Sequence, residues 1–139
     1  MAQDWSSKII EEFHANGGKV GGPFAGATLL LLTTTGAKSG RQRTIPLVYL
    51  AEGKRMFIFA TKGGAPTNPD WYHNLLVHPT VTVKVGTEQF QVKTVVVKGE
   101  ERDRIYARQA QIMPGFAEYE KKTTRKIPVI ELVSDNSKH

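Results

Sequence analysis

The sequence predicts a mainly β (α+β) fold, a six-stranded β-barrel with helices packed outside it. Six short apolar segments are separated by turns or loops, several of them rich in Gly or Pro, as in small all-β folds. Only two helical segments interrupt these strands, so the regular strand–helix alternation of a doubly wound parallel sheet is missing. The 139 residues suffice for a single domain, 1–139, that buries about two-thirds of its unfolded surface.

The first element is a helix within residues 1–18, with Asp4 as its cap and Gly17-Gly18 at its end. Its apolar face is formed by residues at helical spacing: Trp5, Ile9, Ile10 and Phe13. We expect this face to pack on the protein's own domain. The alternative is contact with a membrane or a substrate.

The barrel is expected to occupy residues 22–133. Its strands are predicted at 28–34, 44–50, 55–60, 81–85, 89–97 and 127–133. In the third strand, Met56, Ile58 and Ala60 alternate with Phe57 and Phe59, which predicts two apolar faces.

Two helices interrupt the strands. The first begins with Asn68 as its cap and Pro69 in its first position. Trp71, Tyr72, Leu75 and Leu76 form its predicted apolar face, whereas Asp70, His73 and Asn74 point elsewhere. The second runs from residue 99 to about 113, and 116–122 adds a further turn or two. Residues 134–139 are expected to be a disordered tail.

Positive charge is concentrated between residues 36 and 62. This segment contains Lys38, Arg41, Arg43, Lys54, Arg55 and Lys62 against Glu52, whereas the whole chain has a formal charge of +6. Lys54 and Arg55 are expected to be solvated turn residues. The other four flank loops in which Gly36 and Gly40 let the backbone approach a ligand closely, so an anion-binding nest for a phosphate is predicted.

Other classes of chemistry lack support in the sequence. There are no cysteines, the four histidines lack metal-ligand spacing, and GxSxG is absent, which argues against metal and serine-hydrolase sites. A bound cofactor is therefore expected to carry the chemistry. No signal peptide or membrane-spanning segment is found, so a cytoplasmic protein is expected, at most peripheral at the inner face of the membrane.

Three motifs together resemble the deazaflavin (F420)-dependent nitroreductase family. They are TTTGAKSGRQRTIPLVYL from Thr33, FATKGGAPTNPDWYHNL from Phe59 and RKIPVIEL from Arg125. The resemblance implies a split β-barrel related to the FMN-binding barrels. It also implies hydride transfer from reduced coenzyme F420 to a quinone, or in some members to a nitroaromatic acceptor.

The resemblance further assigns the coenzyme site. Ala37, Lys38 and Ser39 would meet its anionic part, Ala60, Thr61 and Lys62 its ring and phosphate region, and residues 70–74 would close the site. The complete set is Ala37, Lys38, Ser39, Arg41, Arg43, Thr44, Ile45, Pro46, Leu47, Val48, Ala60, Thr61, Lys62, Asp70, Trp71, Tyr72, His73, Asn74 and Phe116.

The acceptor site implied by the resemblance has few polar groups. Its residues are Val48, Thr61, Met113, Phe116 and Tyr119. Thr61 and Tyr119 would position the acceptor, with no essential acid or base. The best-known nitroreductase of that family has several tyrosines and a serine here, so quinone reduction is expected over reduction of bicyclic nitroimidazoles.

Two alternatives remain open at this point. The basic loop could hold the phosphate of FMN, in an FMN or haem enzyme of the wider split-barrel superfamily. The protein could also be a non-enzymatic binder of an anionic cofactor or of nucleic acid, but no recognition helix supports nucleic-acid binding. The resemblance implies a monomer.

Overall fold

A computed structural model describes residues 2–17, 29–61 and 67–134. Within them the chain forms the following elements: α1 (Ala2–Ala15), β1 (Leu29–Thr35), β2 (Gln42–Glu52), β3 (Arg55–Phe59), α2 (Asp70–Val77), β4 (Thr80–Val85), β5 (Glu88–Val97), α3 (Gly99–Ile112), α4 (Gly115–Lys122) and β6 (Val129–Ser134). All six predicted strands are present. Lys62, the second Gly-rich loop after Thr61 and the tail from residue 135 lie outside the described residues.

The six strands close into an antiparallel barrel in the order β1-β2-β3-β6-β5-β4. β1 closes the barrel because it pairs on one side with β2 and on the other with β4: Leu31 lies opposite Pro46 and also opposite Lys84. The predicted fold class is therefore confirmed. No helix among the described residues is both long and apolar enough to cross a lipid bilayer.

The barrel interior is filled by alternate strand residues and closed by α2. Leu30, Leu32 and Ile58 are fully buried there, together with Trp71 and Leu75 of α2. The predicted alternation in β3 is confirmed, since Phe57 and Phe59 belong to a different cluster on the outside. Leu76 was wrongly placed on the apolar face. Its 53% exposure follows from the helical turn of about 100° between neighbours, which leaves Trp71 and Leu75 on the buried face.

Helices cover the outer face of the sheet on two sides. α3 and α4 pack Ile105, Tyr106 and Phe116 against Phe57 and Phe59. The Tyr106 hydroxyl donates a 2.7 Å hydrogen bond to the carbonyl oxygen of Phe116, which joins the two helices.

α1 packs on a different part of the outer face, against β1. Ile9 and Phe13 of this helix are buried against Leu29 and Leu31 of β1. The prediction that the apolar face of α1 packs on its own domain is confirmed for these two residues. The side chain of Trp5 lies outside the described part of the structure.

The two predicted helix caps are wrong. α1 begins at Ala2, so Asp4 lies inside its first turn. α2 begins at Asp70 after Pro69 and has no side-chain cap. The side-chain oxygen of Asn68 instead accepts a hydrogen bond from Arg125, a contact that sequence spacing could not reveal.

Ion pairs tie α3 to the β2–β3 hairpin. Both terminal nitrogens of Arg104 donate to the Glu52 carboxylate, at 3.1 and 3.0 Å. Arg55 binds Glu131 through Nε and Nη2, and its Nη1 reaches Glu101 at 3.1 Å. Arg55 is therefore a structural residue, where a solvated turn residue was expected.

These contacts shift acid pKa values downwards. Hydrogen bonds from Arg104 hold the pKa of Glu52 below its ordinary value, and those from Arg55 do the same to the pKa of Glu101. A carboxylate with a lowered folded-state pKa stabilises the fold above its unfolded pKa of about 4.3, and this contribution is lost as the pH falls through the folded value.

We expect Glu52→Gln to destabilise the protein at neutral pH, because the Arg104 contact loses its charge. The effect is small, since the pair is exposed, and it shrinks as the pH falls through the lowered pKa of Glu52, where the wild-type carboxylate also becomes neutral. Thermal unfolding of both proteins between pH 7 and pH 3 measures this. Glu88→Gln, at an exposed position, is the control. Parallel pH profiles for Glu52→Gln and wild type would contradict the assignment.

Candidate functional site

A cavity of about 540 Å³ lies between the β1–β2 loop and one side of α2. We call it the basic cavity. It is lined by Gly36, Ala37, Lys38, Ser39, Arg43, Asp70, His73 and Asn74. Seven of these eight residues belong to the predicted coenzyme site, and the exception is Gly36. The loop and the helix are separated by more than 25 positions in the chain, and the fold brings them together.

The β1–β2 loop is held in shape by its own backbone. Gly36 N–H donates to Arg41 O at 2.7 Å, Gly40 N–H to Gly36 O at 3.0 Å, and Arg41 N–H to the Ser39 hydroxyl at 3.2 Å. A β-carbon at Gly36 would lie 2.5 Å from that hydroxyl and 3.3 Å from the Arg41 carbonyl oxygen, so a side chain there would displace Ser39 from its bond to Arg41. Because these N–H groups are already bonded within the loop, the predicted anion-binding nest is wrong for them, and the cationic groups that line the cavity are the side chains of Lys38 and Arg43.

Asn74 joins α2 to the loop and to the barrel. Its Oδ1 accepts a 3.0 Å hydrogen bond from Ala37 N–H, and its Nδ2 donates to the Thr34 hydroxyl at 3.2 Å. Thr34 is only 2% exposed, so this bond anchors the cavity wall to the barrel interior. Sequence reasoning missed Thr34, because one buried threonine in a run of three has no distinguishing signal.

The basic side chains at the cavity have no ion-pair partner among the residues that the structure describes. Among the described residues, no acid lies within ion-pair distance of Lys38, Arg41 or Arg43. Asp70 lines the same cavity but forms no such pair. Arg41 is exposed beside the lining rather than part of it. Unpaired cations facing a cavity favour an anionic ligand.

The basic segment 36–62 does not form one surface. β2 spans 11 residues, from Gln42 to Glu52. At about 3.3 Å per residue its ends lie roughly 33 Å apart, so Lys54 and Arg55 are remote from the basic cavity. The predicted concentration of charge therefore divides into a ligand-accessible part near Lys38 and Arg43 and a remote part in which Arg55 is paired with acids.

A smaller cavity of about 140 Å³ adjoins the basic cavity. It shares Arg43, Asp70 and Asn74 and adds Thr34, Ile45 and Trp71. The indole of Trp71 is 8% exposed, so most of this side chain belongs to the barrel core. The charged cavity thus has a partly apolar extension towards the barrel interior.

The remaining predicted coenzyme residues that the structure describes lie outside the lining of the basic cavity. Ile45 and Leu47 pack against the barrel interior, where Ala60 is fully buried, and Tyr72 is half-buried beside them. Thr44 shares a 2.7 Å hydroxyl contact with Thr33. Pro46 lies opposite Leu31.

Four of the five predicted acceptor residues share one cluster outside the barrel. Val48, Met113 and Tyr119 are half-buried and pack against a cluster that contains Phe116. The Phe116 ring lies 5.4 Å from that of Tyr119 and 5.5 Å from that of Phe59. Thr61 follows β3, two residues after Phe59 of this cluster.

Arg125 is a second residue that sequence reasoning missed. Its guanidinium donates to the carbonyl oxygens of Ala60 and Thr61, both predicted site residues. The signal was present in the third motif, RKIPVIEL, but more than 60 positions separate the partners.

The described part of the chain contains no group of three or more His, Cys, Asp or Glu side chains that could hold a metal ion.

Comparison with known proteins identifies a family and relatives that share the same description. A family model described as F420H(2)-dependent quinone reductase matches residues 5–134. An F420H(2)-dependent quinone reductase of Mycobacterium tuberculosis is 39% identical over 126 residues, which cover 86% of this chain and 83% of that protein.

Two solved structures are also similar. One, described as an F420-H2 dependent reductase, is 39% identical with a TM-score of 0.69, and the match covers 76% of this chain and 93% of that chain. Another, described as a domain-swapped dimer, is 34% identical with a TM-score of 0.71, and the match covers 95% of this chain and 99% of that chain.

We expect Asn74→Ala to lower the free energy of unfolding by roughly 1–3 kcal/mol, since two hydrogen bonds of about 0.5–1.5 kcal/mol each are lost. Thr34→Val removes only the bond to Nδ2 and is expected to cost about half as much. Urea unfolding monitored by tryptophan fluorescence measures both. An Asn74→Ala protein as stable as wild type would show that the amide does not hold the cavity wall.

Proposed function

This chain belongs to the F420H(2)-dependent quinone reductase family, and we propose that it uses reduced F420 to reduce a quinone. The single observation that carries the proposal is the basic cavity, whose Lys38 and Arg43 have no acidic partner in the described part of the chain. The phosphate and oligoglutamate tail of F420 provide the anionic groups that such a cavity favours.

The residues present fit this coenzyme by their donor chemistry. We infer that Lys38 and Arg43 bind the anionic tail, while Asn74 keeps the loop and α2 at a fixed separation. Ile45 and Trp71 in the adjoining cavity offer an apolar surface suited to the uncharged part of the coenzyme. When bound, reduced F420 would supply a hydride to the quinone, and the one proton that the coenzyme loses on oxidation would complete the hydroquinone.

The protein's own contribution is binding, orientation and exclusion of water, which can account for a large part of a rate enhancement when the reacting groups are aligned. We assign the acceptor to the side of Val48, Thr61, Met113, Phe116 and Tyr119. Phe59 and Tyr106 pack behind Phe116 and support this wall. We assign no essential acid or base among these residues.

We propose that the protein is a cytoplasmic monomer. It would meet its quinone at the inner face of the membrane. The described strands leave no unpaired sheet edge through which copies could join. Leu76 and Val77, 53% and 57% exposed at the end of α2, form an apolar pair suited to peripheral membrane contact.

Titration of the purified protein with oxidised F420, followed by fluorescence, tests the coenzyme. We expect saturable binding of F420 and none of FMN. Lys38→Ala and Arg43→Ala are each expected to weaken binding by roughly 10-fold or more, which corresponds to about 1.5–3 kcal/mol for a charged hydrogen bond. Binding should also weaken as salt is added.

Lys54→Ala is the matched control for that titration. It removes the same charge from the same segment, at the remote end of β2, and its Kd for F420 should equal that of wild type. Equal weakening by Lys54→Ala and Lys38→Ala would mean that net charge, rather than the basic cavity, sets the affinity. Binding of FMN alone would contradict the proposal.

Acceptor preference gives a second test. We expect kcat/KM for a menaquinone analogue to exceed that for a bicyclic nitroimidazole by roughly 10-fold or more, because Val48, Met113 and Phe116 offer no hydrogen-bond donor to a nitro group. Met113→Tyr adds a hydroxyl and should raise relative nitroimidazole turnover. Met113→Phe, of similar size without the hydroxyl, should not. Equal turnover of both acceptors by wild type would overturn this preference.

A further inference from the structure

Arg125 bridges two separate parts of the chain with a single side chain. It lies between α4 and β6, and its Nη2 donates to Thr61 O at 2.7 Å. Its Nη1 donates to Ala60 O at 3.1 Å and to Asn68 Oδ1 at 2.8 Å. The first two oxygens are at the end of β3, and the third precedes α2. One planar guanidinium therefore connects the end of a strand to the start of a helix.

The geometry of these bonds requires an arginine. Two terminal nitrogens reach three oxygens in one rigid fork, which a lysine ammonium on a flexible stem cannot reproduce. The guanidinium is partly buried, and this burial lowers the pKa of Arg125, although an arginine remains charged at physiological pH. Hydrogen bonds from a charged donor in such a setting are stronger than neutral ones.

The contact with Asn68 ties the start of α2 to Arg125, although Asn68 does not cap the helix. The helix starts after Pro69 without a side-chain cap, and Tyr72 N–H donates to Pro69 O at 3.1 Å in its first turn. Because Asn68 is held by Arg125, the start of the helix is tied to the end of β3. The same helix presents Asp70, His73 and Asn74 to the basic cavity.

We propose that Arg125 is a positioning residue for the reaction: it sets the distance between the end of β3 at Thr61 and the cavity-lining helix α2. This inference rests on the proposed function, in which α2 borders the coenzyme and Thr61 the acceptor. Hydride transfer depends steeply on the separation and alignment of donor and acceptor. A fixed distance between the two walls is therefore a condition for the rate.

Arg125→Lys tests the inference, because it keeps the charge and loses the fork. We expect the rate of hydride transfer to a saturating quinone, measured in a single turnover, to fall by roughly 10- to 100-fold. The Kd for oxidised F420 should rise by a smaller factor. The measurements are made at a temperature at which thermal unfolding shows the variant to be folded.

The matched control is Arg55→Lys. Arg55 also makes a forked, partly buried contact, with Glu131, but at the remote end of β2 and β3. It is expected to lose stability without a change in the transfer rate. If Arg125→Lys behaves in the same way, with a lower Tm and an unchanged rate, Arg125 has only a structural role and the inference fails.

Hydrogen exchange separates this inference from the proposed function. We expect faster amide exchange across Asp70–Val77 in Arg125→Lys than in wild type or Arg55→Lys, in the absence of any ligand. If wild-type protein does not bind F420, the proposed function fails, whereas the exchange result still decides whether Arg125 fixes α2. Unchanged exchange in Arg125→Lys would overturn the bridge on its own.

Discussion

Closure of the barrel through the pairing of β1 with β4 is the constraint on which the rest of the structure depends. Once the sheet is closed, its inner residues are shielded on every side, and only the ends of the barrel need a cover. Trp71 and Leu75 of α2 join the inner cluster. Their burial brings the opposite side of α2 against the β1–β2 loop, and the basic cavity lies between them.

Much of the fold could be predicted from local patterns, because strand alternation and turn residues are properties of neighbouring positions. The alternation of Ile58 with Phe57 and Phe59 predicted that both faces of β3 are apolar. The helix caps could not be predicted in this way. The side chain of Asn68 is suited to capping α2, but Arg125, 57 positions further along the chain, binds its oxygen instead. Leu76 was misplaced because four apolar residues over two helical turns do not reveal which side meets the core.

The candidate site was predictable to the extent that its residues are close in the chain. Lys38 in the β1–β2 loop and Arg43 at the start of β2 are only five positions apart, and the spacing of Asp70, His73 and Asn74 places them on one side of a helix. Local sequence patterns do not show that this loop and this helix meet in space. Their contact follows only from the resemblance or from the fold. Thr34 and Arg125 act through long-range hydrogen bonds, and charge counting along 36–62 could not show that β2 carries Arg55 away from the cavity.

The apolar clusters on both sides of β3 have a consequence for how this barrel tolerates changes in chain length. Where polarity differs between the faces of a strand, a slip by one residue is opposed by burying polar groups. Here both faces of Arg55–Phe59 are apolar, so this opposition is weak, and the tight turns must set the alignment. Gly53, with φ 63°, lies in the turn that leads into β3, and Gly86, with φ 59°, in the β4–β5 turn. Natural length variation among relatives should therefore spare these two turns and fall in the connections to the helices.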